Sequence, residues 1–391
     1  MSMVEWKRMW EVTTWDKKFS GVDKLMQPIV LKYHYYLANE LAKLERPNGD
    51  IRILYTTDKE AFVDSDDVEG NISEGEVVTI PWGGNVNIQY YKGRFVTADN
   101  RIATSNNVDY LCNKYLYYWM LSQKEEIGKF YRGAGIKHPS MLSVLTMLVP
   151  IPSISEQQRI VDILDTFTSY IENLKQQIAQ RRKQYEYYRD LLLELEGKDD
   201  KDVHSWGEFA EMIKGNGVQK VDFVEEGFGC IHYGQIYTHY GSFTYTTNKF
   251  VSKETFEKAR KASKGDIIMT DTSENVEDIC KSVAYLGEDD IAVSNHALII
   301  KHNQNPKFLS YSTLTKSFFN QKRKVVVGVK VSGIKPEHLA QIKIYLPSLK
   351  EQQRIVSILD TFESTIANLE AQLAQREKQY EYYRNKLLTF E

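Results

Sequence analysis

The chain is poor in cysteine and has no long apolar run. Its three cysteines (Cys112, Cys230 and Cys280) form no CxxC pair, which argues against a disulfide scaffold or a zinc knuckle and fits a reducing compartment. The most apolar stretch, residues 141–149, is much shorter than the roughly 18 residues of a membrane span. The first residues are charged and lack the apolar core of a signal peptide. We therefore expect a soluble, cytoplasmic chain without a membrane partner.

Several catalytic motifs are also missing. The sequence contains no GxxxxGK[ST] phosphate loop and no Asn/Asp-Pro-Pro-aromatic tetrapeptide of the kind adenine methyltransferases use. His232 and His239 are seven residues apart, a spacing that suits no common metal site. Asp266 and Asp271 lie near the end of a predicted strand. We favour a structural role for them, at a strand boundary and a turn, over a catalytic carboxylate pair of a nuclease. Because nothing assembles a nucleophile with a base, we expect no catalysis and no metal in this chain.

A long internal repeat dominates what is present. Residues 156–189 and 351–384 share 26 identities in 34 aligned positions, at a constant offset of 195 residues. A repeat of this length determines architecture before any single residue does. The chain therefore carries two copies of one module, and whatever the module binds is expected to be bound twice.

Each repeat has the features of a long helix with a narrow apolar seam. Ser153 with Glu156, and Ser348 with Glu351, predict a capping box in which the serine accepts from the N3 amide and the glutamate reaches back. Apolar residues then recur at alternating steps of four and three, which is typical of a coiled coil. Arg181 and Arg376 occupy the polar seam position, where they are predicted to fix register. The seam residues are Ile160, Leu164, Phe167, Ile171, Leu174, Ile178, Ile355, Leu359, Phe362, Ile366, Leu369 and Leu373.

The two helices are natural partners for each other. About 40 residues at ~1.5 Å each give a rod of roughly 60 Å. We predict antiparallel packing, which relates the halves by a pseudo-twofold axis. The alternative is that the helices dimerise two separate chains.

Outside the helices, short Val/Ile/Tyr/Phe runs between turn residues predict strands, such as 76–80 and 266–270, with helical patches at 113–129 and 307–322. The fold class is therefore α+β, with two mixed α/β domains and two long helices. The predicted domains are residues 1–152, a helical spacer at 153–196, a linker at 197–204, a second domain at 205–347 and a second spacer at 348–391.

Each half carries a basic tract before its helix, although the net charge of the chain is −3. Residues 301–343 contain nine Lys/Arg and one acid, and residues 90–140 contain eight against four. Cations neutralise phosphates, and Arg, Asn and Gln read base edges. These tracts predict DNA binding, the alternative for each residue being a solvated surface. The candidates are Lys92, Arg94, Arg101, Lys129, Arg132, Lys137, Gln235, Tyr237, His239, Lys316, Gln321, Lys322, Arg323, Lys324, Lys330 and Lys335.

The chain resembles the specificity subunits of type I restriction–modification systems over essentially its whole length. The resemblance rests on the PSxxEQxxIxxILD start of each helix (152–165 and 347–360), on the YEYYR end, and on Lys-Gly-Asp-Ile-Ile at 264–268. The first half has Glu74-Gly75-Glu76 where Lys-Gly-Asp is typical. The order domain–helix–domain–helix is also that of the family.

The resemblance implies two target-recognition domains that each read half of an interrupted double-stranded DNA sequence, with the helices setting the gap. It further implies two methyltransferase (modification) subunits and endonuclease/translocase (restriction) subunits as partners. S-adenosylmethionine, ATP and magnesium would then belong to those partners, and the chain would be a non-catalytic subunit. Two other classes stay open: a coiled-coil scaffold that never meets DNA, and a stand-alone metal-dependent nuclease using Asp266 and Asp271.

Overall fold

The computed structural model describes residues 4–68, 70–328 and 332–390. The chain forms two compact units, one of Met1–Leu174 with Gln372–Glu391 and the other of Lys175–Ala371. Each unit therefore combines one globular part with portions of both long helices. In the residues described, no helix is both long enough and apolar enough to cross a membrane.

The first unit is built on a mixed sheet covered by short helices. Its strands are β1 (Glu5–Arg8), β2 (Thr13–Trp15), β3 (Ile51–Leu54), β4 (Ala61–Val63), β5 (Ser73–Pro81), β6 (Gln89–Thr97), β7 (Asn100–Ser105), β8 (Tyr131–Arg132), β9 (His138–Pro139) and β10 (Leu148–Ile151). Its helices are α1 (Met9–Val12), α2 (Ala38–Leu44), α3 (Asn113–Ser122), α4 (Lys124–Lys129), α5 (Met141–Leu145) and the beginning of α6 (Ile154–Leu193).

The six-stranded sheet of this unit has the order β2-β7-β5-β6-β3-β4. All its neighbouring strands are antiparallel except β3 and β6, which are parallel. The central strand β5 ends in a buried apolar run from Val77 to Pro81, as expected for a strand covered on both faces. Helix α3 packs its buried Tyr115 and Leu116 in the same core as Ile160 and Leu164 of α6.

The second unit contains more and shorter strands. These are β11 (Val203–Ser205), β12 (Ala210–Lys214), β13 (Phe223–Val224), β14 (Phe228–Ile231), β15 (Phe243–Thr244), β16 (Lys249–Val251), β17 (Lys261–Ala262), β18 (Ile267–Thr270), β19 (Thr272–Ser273), β20 (Ser282–Tyr285), β21 (Ile291–Val293), β22 (Ala297–His302), β23 (Ser332–Gly333) and β24 (Lys343–Tyr345). The helices are the end of α6, α7 (Trp206–Phe209), α8 (Tyr233–Thr238), α9 (Lys253–Lys258), α10 (Pro306–Ser312), α11 (Lys316–Val325), α12 (Pro336–Leu339) and the beginning of α13 (Leu349–Leu388).

The second unit contains two five-stranded sheets, in the orders β12-β22-β18-β20-β15 and β13-β16-β14-β21-β17, and two two-stranded sheets, β11-β24 and β19-β23. The central pair β18–β22 corresponds to β5–β7 of the first unit. Thr270 pairs with Ala297 as Pro81 pairs with Asn100, and in both units the next amide donates to the carbonyl just before the partner strand. The two globular parts therefore share a central framework despite their different sequences.

The long helices run antiparallel, as predicted. In the first unit Phe167 of α6 stacks on Tyr383 of α13, with ring centroids 5.3 Å apart. In the second unit Tyr188 of α6 stacks on Phe362 of α13 at 5.4 Å. Early residues of each helix thus meet late residues of the other. Buried seam residues are Ile160, Leu164, Ile171, Leu174, Ile178, Ile355 and Leu359, and half-buried ones are Phe167, Phe362, Ile366, Leu369 and Leu373.

The helix starts differ from the predicted capping box in one respect. As predicted, the backbone amide of Glu156 donates to the Ser153 hydroxyl oxygen, and that of Glu351 donates to the Ser348 hydroxyl oxygen, both at 3.4 Å. Each glutamate, however, forms an ion pair one turn onward, with Arg159 and Arg354 respectively. The nearby guanidinium offers the carboxylate a stronger, charge-assisted partner than the cap amide does.

The polar seam positions also differ from each other. Arg181 is exposed and donates to Gln184 of its own helix. Arg376 is half-buried, and its guanidinium lies 5.0 Å from the ring centroid of Tyr170. Only Arg376 therefore contacts the facing helix through a contact that the structure describes.

Each globular part is attached to its long helix by the same residues. Gln157 of α6 is fully buried; its side chain accepts from the Cys112 amide and donates to the carbonyls of Tyr110 and Pro152. About two turns further along the helix, Asp165 accepts from other residues of the globular part.

In the first unit, Lys114 and Tyr118 of α3 donate to Asp165 at 2.7 and 2.6 Å. In the second unit, Lys307 and Tyr311 of α10 donate to Asp360, both at 2.7 Å. Gln352 repeats the role of Gln157, accepting from the Asn305 amide at 3.0 Å. We call these contacts the joint of each unit; they fix the angle between the globular part and its helix.

Candidate nucleic-acid interface

The exposed candidate cations of the first unit lie on β6, at the end of α4 and in the hairpin of β8 and β9. Lys92 and Arg94 lie on β6, where they face Glu76 at 3.4 Å and Asp50 at 3.6 Å. Lys129 ends α4 and pairs with Glu126 at 2.6 Å. All three side chains are exposed, so their ion pairs are weak and can be exchanged for phosphate contacts.

Arg132 and Lys137 belong to the hairpin of β8 and β9, and both are exposed. Neither forms an ion pair with any residue that the structure describes. The hairpin is held at the end of β5, because the Gly84 amide donates to the Lys137 carbonyl at 2.9 Å. A Cβ at Gly83 would lie 2.8 Å from a methyl of Ile136, so a larger residue there would have to displace that exposed side chain.

Arg101, which the basic tract also suggested, is a structural residue. Its side chain is 3% exposed, its guanidinium pairs with Asp16 at 3.3 Å and Asp99 at 2.9 Å, and it lies 4.4 Å from the ring centroid of Trp82. Because the guanidinium is buried and neutralised by two carboxylates, it is not accessible to a DNA phosphate, so the structure argues against the predicted contact.

The candidates of the second unit cluster on α11. Lys316 is exposed near Asp190, at 3.7 Å. Gln321 forms two bonds of 2.9 Å with the backbone of Lys343, which attaches α11 to β24. Arg323 and Lys324, at the end of the helix, are exposed and have no ion-pair partner within residues 4–68, 70–328 and 332–390.

Lys322 is the second misassigned cation. Its residue is 5% exposed, and its ammonium donates to the carbonyls of Glu277 and Ile279 at 2.8 and 2.6 Å. Desolvation by burial lowers the pKa of this lysine. The side chain therefore holds the loop after β19 instead of reaching solvent.

Lys335 is exposed immediately before α12. Lys330 lies outside the described residues. For these two cations, and for the other exposed candidates, DNA contact stays a prediction.

The three candidates on and beside α8 have different environments. Gln235 is 9% exposed; it accepts from the His232 amide and donates to Asn248, so its amide is occupied within the fold. The Tyr237 hydroxyl donates to the Thr272 carbonyl. His239 is exposed at the end of the helix, with its ring against Tyr240. Only His239 presents its polar atoms freely to solvent.

The carboxylates considered for a nuclease are separated by the strand between them. Asp266 precedes β18 and pairs with Lys301 at 3.0 Å, whereas Asp271 follows it and pairs with Lys214 at 3.1 Å. Five residues of extended chain put them about 16 Å apart, too far for a shared metal. Groups of three or more metal-ligating side chains are absent from the described portion of the chain.

Comparison with known proteins agrees with this architecture. The family described as "Type I restriction modification DNA specificity domain" matches residues 35–181 and again 199–378. A putative type I restriction enzyme specificity subunit of Haemophilus influenzae is 29% identical over 346 residues, which cover 83% of this chain and 86% of the relative. The EcoR124I/EcoR124II specificity subunit of Escherichia coli is 26% identical, with 71% and 70% of the two chains covered.

Among solved structures, the S subunit of a type I restriction–modification system from M. genitalium matches with a TM-score of 0.62. Its identity is 16%, and the match covers 100% of this chain and 98% of the other. This likeness shows the shared fold.

Proposed function

Because the chain belongs to the type I restriction–modification DNA specificity family, we propose that it is the subunit that selects the DNA sequence for such an enzyme. The observation that carries the proposal is the double match of the family, once to each half of the chain. Each half presents exposed cations, and the two sets lie on different elements: β6 and a hairpin in the first, α11 in the second. The two globular parts thus share a framework but present different surfaces, as is expected if each recognises a different half of the DNA target.

In this proposal Lys and Arg hold the protein on DNA phosphates, and a few side chains of each globular part contact base edges. The antiparallel helices set the gap between the half-sites. Methyltransferase subunits assemble with the chain, and restriction subunits join them. The chain itself takes no part in bond making or breaking; S-adenosylmethionine, ATP and magnesium act on the partner subunits.

Changing the length of both helices tests this proposal. Removing seven residues from each helix shortens it by about 10 Å, close to three base pairs at about 3.4 Å each. A heptad also preserves the seam face to within ~20°. The measurement is the map of methylated sites in cells that express the chain with its partner subunits. We expect a changed gap and unchanged half-sites.

An altered half-site sequence in the shortened protein would contradict the role of the helices. A methylation map that does not depend on the presence of this chain would contradict the proposed function itself. The matched control is a chain in which seven residues are deleted from one helix only. It is expected to lose methylation, because the two seams then no longer match.

A further inference from the structure

A half-open cavity of about 530 Å³ lies at the end of β18 in the second unit. Tyr233 and Tyr237 of α8 form one wall with His296, and the loop after β19 forms the other with Asn275 and Asp278. The ring of Tyr233 lies 5.3 Å from that of His296 in an edge-on arrangement. The cavity thus combines aromatic surfaces with polar groups in a space large enough for the edge of a nucleobase.

The walls of the cavity are fixed by hydrogen bonds. The Tyr237 hydroxyl donates to the Thr272 carbonyl, and the Lys281 ammonium donates to the Tyr237 carbonyl at 3.1 Å. On the loop, the side-chain amide nitrogen of Asn275 donates to the Asp278 carboxylate at 2.8 Å, and its oxygen accepts from the Asp278 backbone amide at 2.7 Å. These bonds use one oxygen of the Asp278 carboxylate and leave the other available as an acceptor.

A buried carboxylate with one unpaired oxygen lies behind the histidine. Asp271 is 4% exposed, and one of its oxygens pairs with Lys214. The other oxygen is buried, has no hydrogen-bond partner among the residues described, and lies 4.0 Å from Nδ1 of His296. At this distance, a small rotation of the exposed imidazole would bring the Nδ1 proton within hydrogen-bond reach of this oxygen. The Nε2 atom would then face away from the carboxylate and, carrying no proton in the neutral ring, would be an acceptor.

The corresponding place in the first unit has different chemistry. Trp82 stands where the second unit has Asp271, and Asp99 stands where it has His296, since the same backbone hydrogen bond joins each pair. There the space is filled by the Trp82 ring, which lies against the Arg101 guanidinium and the His138 ring. Two like frameworks therefore differ at one structurally equivalent edge, as expected of the surfaces that distinguish two half-sites.

We propose that this cavity of the second unit contacts one base of its half-site through the major groove and selects a base with an exocyclic amino group, adenine or cytosine. The inference rests on the function proposed above. The carboxylates of Glu274 and Asp278 line the cavity and form no ion pair with a described residue. Carboxylates accept from the amino groups of cytosine and adenine, whereas guanine and thymine present carbonyl oxygens there. Nε2 of His296, the acceptor that remains when Nδ1 carries the proton, can receive the same amino group.

The experiment replaces the cavity groups in the full chain, expressed with its partner subunits, and reads the methylated motif by sequencing. The variants are His296→Gly, Glu274→Gln and Asp278→Asn. Glycine suits the backbone of His296, whose φ is +65°, so this change removes the ring without backbone strain. The amide variants keep side-chain volume and add a donor that can face the oxygen of guanine or thymine. Asp290→Asn, in the exposed loop before β21, is the matched control.

We expect at least one of the variants to reduce the preference for the amino-bearing base about tenfold or more at one position of one half-site, with the other half-site, the gap and the control unchanged. An unchanged motif in all three variants overturns the inference. If a variant abolishes methylation, its DNA binding is measured instead, in competition with duplexes in which the half-site is varied one base at a time. Loss confined to the original base supports the inference, and equal loss for every duplex overturns it. A wild-type chain that directs no bipartite methylation would instead contradict the proposed function.

Discussion

Replacing Arg101 with glutamine distinguishes a structural cation from a DNA-binding one. The side chains of Arg101 and Asp16 are 3% and 0% exposed, and Asp16 also accepts from the Ile102 amide and the Tyr35 hydroxyl. Removing the guanidinium leaves a buried carboxylate without its counter-charge. Breaking a buried pair in this way costs about 3 kcal/mol or more of unfolding free energy.

The expected effect is a large loss of thermal stability without a change in DNA affinity. For a unit of roughly 200 residues, 1 kcal/mol lowers Tm by about 2–4 °C, so Arg101→Gln should lower the first unfolding transition by about 6–12 °C. Calorimetry of the full chain measures this shift. DNA affinity is measured at several salt concentrations, well below Tm. The slope of log affinity against log salt concentration should equal that of the wild type because no phosphate contact is lost.

Arg94→Gln, on strand β6 of the same sheet, is the matched control. Arg94 faces Asp50 at 3.6 Å, and both side chains are about half exposed, so the pair contributes less than about 1 kcal/mol. If Arg101→Gln has the same Tm as the wild type and its DNA affinity depends less steeply on salt concentration, the structural role assigned to the buried arginine is wrong.

The remaining predictions concern the second unit and its joint. Arg323→Ala with Lys324→Ala should weaken DNA binding and lower the salt slope by up to about two, and an unaltered slope would remove this end of α11 from the interface. Asp360→Ala should lower Tm more than Asp165→Ala, since the lysine paired with Asp360 is 14% exposed and the one paired with Asp165 is 31% exposed; equal shifts would contradict this. Burial raises the pKa of Glu363, so its ionised form opposes folding above that pKa. Glu363→Gln should therefore stabilise the protein most at high pH, and the gain measured by denaturation should shrink as pH falls toward the ordinary glutamate pKa.

The regular part of the fold could be predicted because its signals are local. The steps of three and four residues along the repeat predicted both long helices, and an internal duplication made their antiparallel pairing the simplest arrangement. The strands at 76–80 and 266–270 were predicted from β-branched residues between turns, and the structure confirms them as parts of β5 and β18.

The burial of individual cations could not be predicted in the same way. Arg101 is neutralised by Asp16, 85 residues earlier, and no local pattern reports such a contact. Lys322 did carry a signal: it lies four residues after the fully buried Phe318, and residues four apart share a helix face. A count of basic residues along the chain hides this difference, because it weights buried and exposed side chains equally.

Of the residues that line the cavity beside His296, only Tyr237 was among the predicted DNA contacts, and the others were missed for a related reason. Its walls come from α8, from the loop after β19 and from the residue before β22, which are distant in sequence and contain no recognised motif. The unusual backbone of His296 is a property of the folded chain, since histidine seldom adopts a positive φ.

The joint explains why the helix starts resemble each other more than the globular parts do. Gln157 and Asp165, with their copies in the second repeat, contact the globular part directly. Their partners recur as Lys-x-x-x-Tyr, at Lys114 with Tyr118 and at Lys307 with Tyr311, although the globular parts differ strongly elsewhere. A lysine and a tyrosine four residues apart lie on one helix face, so both reach the same aspartate. The two repeats therefore share the contacts that fix each globular part on its helix, whereas the outward-facing surfaces of the globular parts are free to differ.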